Sequence, residues 1–255
     1  MKRMLLLCGA LMILGASAAS AAQGVNLAWG AGCWGNNPVN LETFACNAND
    51  DVAGPSIMTA SFQLGADLPQ WLTLSAIIDG QSQTGTLPDW WQVFNSGSCR
   101  ASSLTATANF SLAPKGQCTD PWKGSGTGGI GAWQTAAYPP PAPLNVPVGN
   151  RTRAKVAFAL TTSKTLTASV NYYAVALYVD YANTVAPATI CAGCSTPVTF
   201  VLNEIQLLPE SGLSNAVTIT NALDNQCIFW QSNAVDCSLV PARNRTWGAV
   251  KSLYR

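Results

Sequence analysis

Leu104-Thr105-Ala106-Thr107-Ala108-Asn109-Phe110 places Leu104, Ala106, Ala108 and Phe110 on one side of an extended chain and Thr105, Thr107 and Asn109 on the other. Strict alternation of this kind is the pattern of a strand with one face in a core and one face in water. The same period recurs in Met58-Ala60-Phe62-Leu64 and in Val156-Phe158-Leu160 beside Lys155. It recurs again across Tyr172 to Tyr181, where Tyr173, Val175, Leu177 and Val179 oppose Tyr172, Ala174, Ala176 and Tyr178. Trp71 to Ile78, Ile130 to Ala137, Val198 to Leu208 and Val217 to Thr220 are further strand candidates. Eight or nine strands separated by turn-forming residues predict an all-β fold, a two-sheet sandwich or jelly roll with disulfide-framed loops.

Helical periodicity is confined to a short turn near Leu87 to Phe94 and to the tail Thr246 to Tyr254. In the tail Thr246 can cap a helix, yet the same residues alternate well enough for an edge strand, and both alternatives stay open. The Pro-rich stretch from Tyr138 to Gly149 must be extended and cannot lie inside a sheet. We expect a surface crossover over 138–149 rather than an interdomain linker, because each half has too few strands to close its own core.

Lys2 and Arg3 precede an apolar run from Met4 to Leu14, and small residues follow up to Ala22. This order predicts a secretory signal peptide over 1–21, too short to span a bilayer. The expected organisation is that segment, a single β-sandwich domain over 22–245 and a C-terminal tail over 246–255. The expected location is therefore outside the cytoplasm: secreted, at the cell surface or in the periplasm. Charge is sparse, with 13 Lys and Arg against 12 Asp and Glu. Nucleic acid, which demands a positive surface, is not an expected partner, and no later stretch is apolar for long enough to form a membrane helix.

Of nine cysteines, Cys8 falls in the predicted signal peptide and eight remain. An even number in an exported chain predicts a disulfide framework. The cysteines fall into neighbouring pairs along the chain, so the expected bridges are Cys33 with Cys46, Cys99 with Cys118, Cys191 with Cys194 and Cys227 with Cys237. Cys191-Ala-Gly-Cys194 has redox-motif spacing, but a strand pattern follows it where a thioredoxin-like site needs a helix. A tight structural bridge is the expectation.

The chain contains no histidine, which excludes Ser-His-Asp and Cys-His hydrolases. Carboxylate pairs for glycoside chemistry remain conceivable, with Glu204 and Asp180 set on strongly apolar strands. No catalytic residue and no metal ligand are assigned. Asn47, Asn49, Asp50 and Asp51 form an oxygen-rich loop beside Cys46 that could hold calcium, although an Asx-rich turn explains it better. Nine tryptophans are present, and Trp34, Trp122 and Trp230 lie in or beside Cys-framed polar segments. If exposed, they offer flat apolar faces to sugar rings. Packing against a nearby disulfide explains the same residues better.

The tail Thr246-Trp-Gly-Ala-Val-Lys-Ser-Leu-Tyr-Arg255, with Cys191-Ala-Gly-Cys194 leading into the strand from Val198, resembles a group of secreted proteins of environmental bacteria. That resemblance implies a Cys-framed β-domain and no established activity. Phe200-Val-Leu-Asn-Glu-Ile-Gln-Leu207 is similar to the closing strand of carbohydrate-binding jelly rolls. The leading expectation is a non-catalytic structural or interaction protein, secreted or surface-displayed. The alternative is a glycan-binding domain using Trp34, Trp122 and Trp230, and the third is a carboxylate-based glycan-active enzyme. Partners in these cases are a surface polysaccharide or another extracellular protein.

Overall fold

In the computed structural model, residues 22–30, 33, 38–49, 55–93, 98–110, 118–134, 150–186, 190–232 and 237 are described. The predicted signal peptide, Trp34, Asp50, Asp51, the Pro-rich stretch and the tail from 246 lie outside them.

The alternation read in the sequence becomes strands throughout, and there is no α-helix among the described residues. The strands are β1 (Gly24–Trp29), β2 (Leu41–Glu42), β3 (Ser56–Gln63), β4 (Leu68–Ser82) and β5 (Leu104–Thr107). They continue as β6 (Thr127–Gln134), β7 (Arg151–Leu166), β8 (Asn171–Val179), β9 (Val198–Pro209), β10 (Val217–Ile219) and β11 (Cys227–Trp230). The turn expected near Leu87 to Phe94 is a short 3-10 segment, Asp89–Trp91.

Two sheets result. One has the order β1-β3-β8-β5; the other runs β2-β11-β9-β4-β7-β6, with β10 also paired to β9. All pairings are antiparallel except that of β11 with β2. Leu74, Ala76 and Ile78 of β4 and Val156 and Phe158 of β7 join Leu27, Met58, Phe62 and Leu177 of the smaller sheet in one buried cluster. Both sheets therefore bury one face in the same core, which is the largest source of their stability.

Register shifts also occur around Trp71 and between Ile130 and Ala132, and two others alter the alternation read in the sequence. Between Ala60 and Ser61 the register of β3 against β8 shifts, so Ala60 faces Val175 whereas Ser61 faces Tyr173 and Phe62 faces Tyr172. The sequence placed Tyr173 with Val175 on one face; the bulge at Ala174 breaks that continuity. A second shift, between Ile77 and Ile78, leaves Asn203 of β9 without an opposite residue, because Ile77 faces Glu204 and Ile78 faces Leu202.

All eight cysteines beyond Cys8 are disulfide-bonded, as Cys33–Cys118, Cys46–Cys194, Cys99–Cys191 and Cys227–Cys237. Only the last of the four expected pairings is formed. Strand register explains two of the corrections. Leu104 opens β5 opposite Val179 at the close of β8, so the chain before one strand meets the chain after the other, and Cys99 reaches Cys191. Likewise Trp230 faces both Glu42 and Val198, so the segments after β2 and before β9 meet and Cys46 reaches Cys194. Neighbouring positions in sequence are a poor guide where long antiparallel pairings return distant segments to one end of a sheet.

Candidate functional site

Trp122 and Trp230, for which the sequence offered both surface exposure and internal packing, are wholly buried. The indole N–H of Trp122 donates to the Ala174 carbonyl at 2.7 Å, and that of Trp230 to the Cys194 carbonyl at 2.7 Å. Trp230 belongs to β11 rather than to a loop, and it packs among Trp29, Trp90 and Trp91 with ring centres 5.9, 5.1 and 5.4 Å away. Trp122 meets Trp71 and Phe158. The burial has a plain cause: a large indole with an internal acceptor gains more from full burial than from lying in a loop.

The end of the molecule where these tryptophans gather is cross-linked around Cys191-Ala-Gly-Cys194. The two cysteines of this turn bond outward to Cys99 and Cys46 instead of to each other. Gly193 adopts φ +94°, and a Cβ there would come within 2.4 Å of Pro88, so the turn requires glycine. Arg100 is buried beside it, its guanidinium carbon 3.8 Å from the Trp90 ring centre. It donates to the carbonyls of Ala182 and Asp180, and burial pulls its pKa down to about 10 despite nearby Asp180. Asp180, one of the two carboxylates singled out from the sequence, accepts from the Ala182 amide at 2.9 Å and so caps the turn after β8. Asn49 spends its side chain on Val185, donating to its carbonyl at 2.5 Å and accepting from its amide at 2.7 Å.

Polar chemistry concentrates on the other face of the seven-stranded sheet, the face turned away from the shared core. Core-facing Leu74, Ala76 and Ile78 of β4 alternate there with Ser75, Ile77 and Asp79. Asp79 and Arg153 are paired across β4 and β7 and each is 2 % exposed. The guanidinium donates to both carboxylate oxygens at 2.5 Å, and Asn203 Nδ2 donates to Asp79 Oδ2 at 2.6 Å. Burial pushes the Asp79 carboxyl up from its ordinary value, while the bonds from Arg153 and Asn203 and the charge of Arg151 pull it back. Arg151 is shifted down by its own burial, with Asp79 opposing.

One row along the same strands, Ile77 is flanked by Lys155 of β7 and Glu204 of β9. The next row sets Ser75 between Ala157 and Gln206. These six residues, with Ala76, Gly131 and Val156, line a cleft of about 320 Å³. Lys155 is exposed, Ser75 and Gln206 are half-buried, and Glu204 is 8 % exposed. A smaller cleft of about 290 Å³ lies over Thr84, Pro88, Asp89, Gly193 and Thr196 beside the cross-linked turn.

The sequence singled out Glu204 for its apolar surroundings, and the structure sets it in this cleft. It passed over Asp79, Arg153, Asn203, Ser75 and Gln206. The available signal was Arg151-Thr-Arg-Ala-Lys155, cations at every second position and hence on one strand face, together with a carboxylate at the end of Ala76-Ile-Ile-Asp79. No group of three or more metal-binding side chains occurs among the described residues.

Fold and site define an all-β, two-sheet protein with four disulfides and a polar cleft on its larger sheet. No protein-family model, curated protein or solved structure matches the chain.

Proposed function

We propose that this chain is a non-catalytic interaction protein that works outside the cytoplasm, folded as a disulfide-framed β-sandwich. The observation that carries this reading is the covalent cross-linking of distant segments, Cys46 to Cys194 and Cys99 to Cys191, at one end of the two sheets. Bridges that close loops of this length persist in oxidising compartments and stabilise a preformed surface against unfolding. The larger sheet offers such a surface, because Asp79, Arg153 and Asn203 lock β4, β7 and β9 together beneath it. Carboxylate-based glycan cleavage fits less well. It needs two available carboxyl groups, whereas Asp79 is engaged by Arg153 and Asn203, and Glu204 is the one carboxylate lining the cleft among the described residues.

Expression in a bacterial host, followed by labelling of intact cells with a membrane-impermeant amine reagent, tests the location and the role. The expected result is labelled protein at the surface or in the medium, in its fully oxidised form. Recovery of reduced protein from the cytoplasm alone, or turnover of a polysaccharide by the purified protein, would overturn it.

A further inference from the structure

Thr84-Gly-Thr-Leu-Pro-Asp89, the chain leaving β4, and Ala192-Gly-Cys-Ser-Thr196 of the cross-linked turn together line the smaller cleft of about 290 Å³. Leu87, Pro88 and Ala192 supply its apolar surface, and one carboxylate, Asp89, shares the polar part with threonine hydroxyls. No Lys or Arg lines it. We propose that this cleft binds a primary ammonium group carried on a short apolar stem.

The chemistry of the lining argues for that ligand class. An ammonium has three N–H donors and no acceptor, so acceptors alone match it. Asp89 is exposed, and among the described residues its carboxylate takes no hydrogen bond and no ion pair. The hydroxyls of Thr86 and Thr196 are likewise unengaged there, whereas that of Thr84 is held by the Ser82 hydroxyl at 2.7 Å and the Thr86 carbonyl at 2.6 Å. One carboxylate and two open hydroxyls thus equal the donor count of one ammonium, and Leu87, Pro88 and Ala192 suit the methylenes that carry it. Other classes fit worse. A phosphate or sulfate would meet the Asp89 carboxylate with no cation beside it. Calcium takes about six to eight oxygens, commonly from several carboxylates, and the cleft has one carboxylate. Arg100, buried beside the same turn, directs its guanidinium to the Trp90 ring and to the carbonyls of Ala182 and Asp180 and lines no part of the cleft.

Size and rigidity agree with this assignment. A cleft of this volume is at the lower end for small-molecule sites, enough for a four-carbon stem and its ammonium. Its two walls are tied together, because the Trp90 amide donates to the Ala192 carbonyl at 3.0 Å. Each wall is also fixed within itself: the Trp91 amide donates to the Pro88 carbonyl at 2.9 Å, Gln92 Nε2 to the Leu87 carbonyl at 3.1 Å, and the Thr196 amide to the Gly193 carbonyl at 3.1 Å. Cys191 and Cys194 anchor the turn to distant segments. Binding then costs little ordering of the protein. The exposure of Asp89 keeps its attraction for a cation modest and open to screening by salt.

The proposal deepens the interaction reading by naming what one cleft recognises, and it rests on that reading. Its test is titration of the purified, oxidised protein with N-acetyl-lysine methylamide and with the norleucine counterpart, which keeps the stem and lacks the ammonium, read by ligand-observed NMR and calorimetry at low salt. Asp89→Asn and Thr196→Val are compared with Leu213→Ser, a change at an exposed position that lines no part of the cleft. Circular dichroism and melting temperature check that each variant is folded. The expected result is a Kd on the order of 1 mM for the blocked lysine and no binding of the norleucine compound. Affinity is expected to fall about tenfold in Asp89→Asn and about threefold in Thr196→Val, to fall further as salt is added, and to be unchanged in Leu213→Ser. A parallel titration with n-butylamine separates the two sources of such a group: tighter binding of the blocked lysine supports a lysine side chain of a partner protein, and tighter binding of n-butylamine supports a free amine. Equal affinity for the norleucine compound, binding that Asp89→Asn leaves unchanged, or no binding of either amine would overturn the site. Each of these would leave the interaction reading standing, because that reading is decided by the labelling of intact cells and by the oxidised state of the protein.

Discussion

Asp79 and Arg153 are each almost fully removed from water, and a buried ion pair of this kind is asymmetric in its consequences. Removing one partner leaves a charge without compensation, whereas exchanging both for apolar groups of similar shape can be nearly neutral. Asp79→Ala and Arg153→Met are therefore each expected to lower the unfolding free energy by about 3 to 5 kcal/mol in urea titrations. The double variant Asp79→Leu with Arg153→Met is expected to lose less than the sum of the two single losses.

Glu42 provides a pH signature. Burial raises its pKa above 4.5, with the hydrogen bond from Ser56 opposing. A carboxyl whose folded-state pKa is raised contributes stability that is fully present below the unfolded value. That contribution is lost as pH rises through the folded value. Urea midpoints of Glu42→Gln should accordingly fall less than those of the parent as pH is raised from about 4 to neutrality. An identical fall in both proteins would show that Glu42 is not the group responsible.

At the scale of elements, the cross-linked turn is the feature with most leverage. Peptide mapping under non-reducing conditions should return the linkages 33–118, 46–194, 99–191 and 227–237. Recovery of a Cys191–Cys194 bridge instead would contradict the fold at this end. The bridge between Cys99 and Cys191 spans 92 residues, and replacing both with serine is expected to cost about 4 to 5 kcal/mol, read from the shift in denaturation midpoint. Gly193→Ala should also destabilise, by about 1 kcal/mol or more, because the new methyl group meets Pro88 and the backbone is left-handed there. A denaturation midpoint equal to that of the parent would refute that account of the turn.

Across the whole molecule, the two ends of the described chain are sewn together. Val25 and Leu27 of β1 donate to the carbonyls of Asn221 and Asn225 at 2.9 and 2.8 Å, and Leu223 donates back to Val25. Trp29 donates its indole N–H to the Phe229 carbonyl at 2.7 Å. Deleting 217–232 removes β10, β11 and this seam, and should leave a chain without a cooperative melting transition by circular dichroism. A cooperative transition in that truncated chain would refute the role of the seam.

Much of this was legible in the residues themselves. Alternation in Leu104–Phe110, Met58–Leu64, Val156–Leu160 and Val198–Leu208 is a local property, set by which side of a pleated chain each side chain leaves, so it locates strands without knowledge of their partners. The even set of cysteines beyond Cys8 likewise announced full pairing. Strand partners, the bulges at Ala174 and Asn203, the links among Cys46, Cys99, Cys191 and Cys194, and the burial of Trp122 and Trp230 were decided only in the folded molecule. Each depends on segments far apart in the chain coming to lie side by side. The cleft belongs with these: Ser75, Lys155 and Glu204 become neighbours only because β4 runs between β7 and β9 in one register. Side-chain direction is written residue by residue, whereas adjacency is a property of the packed sheets.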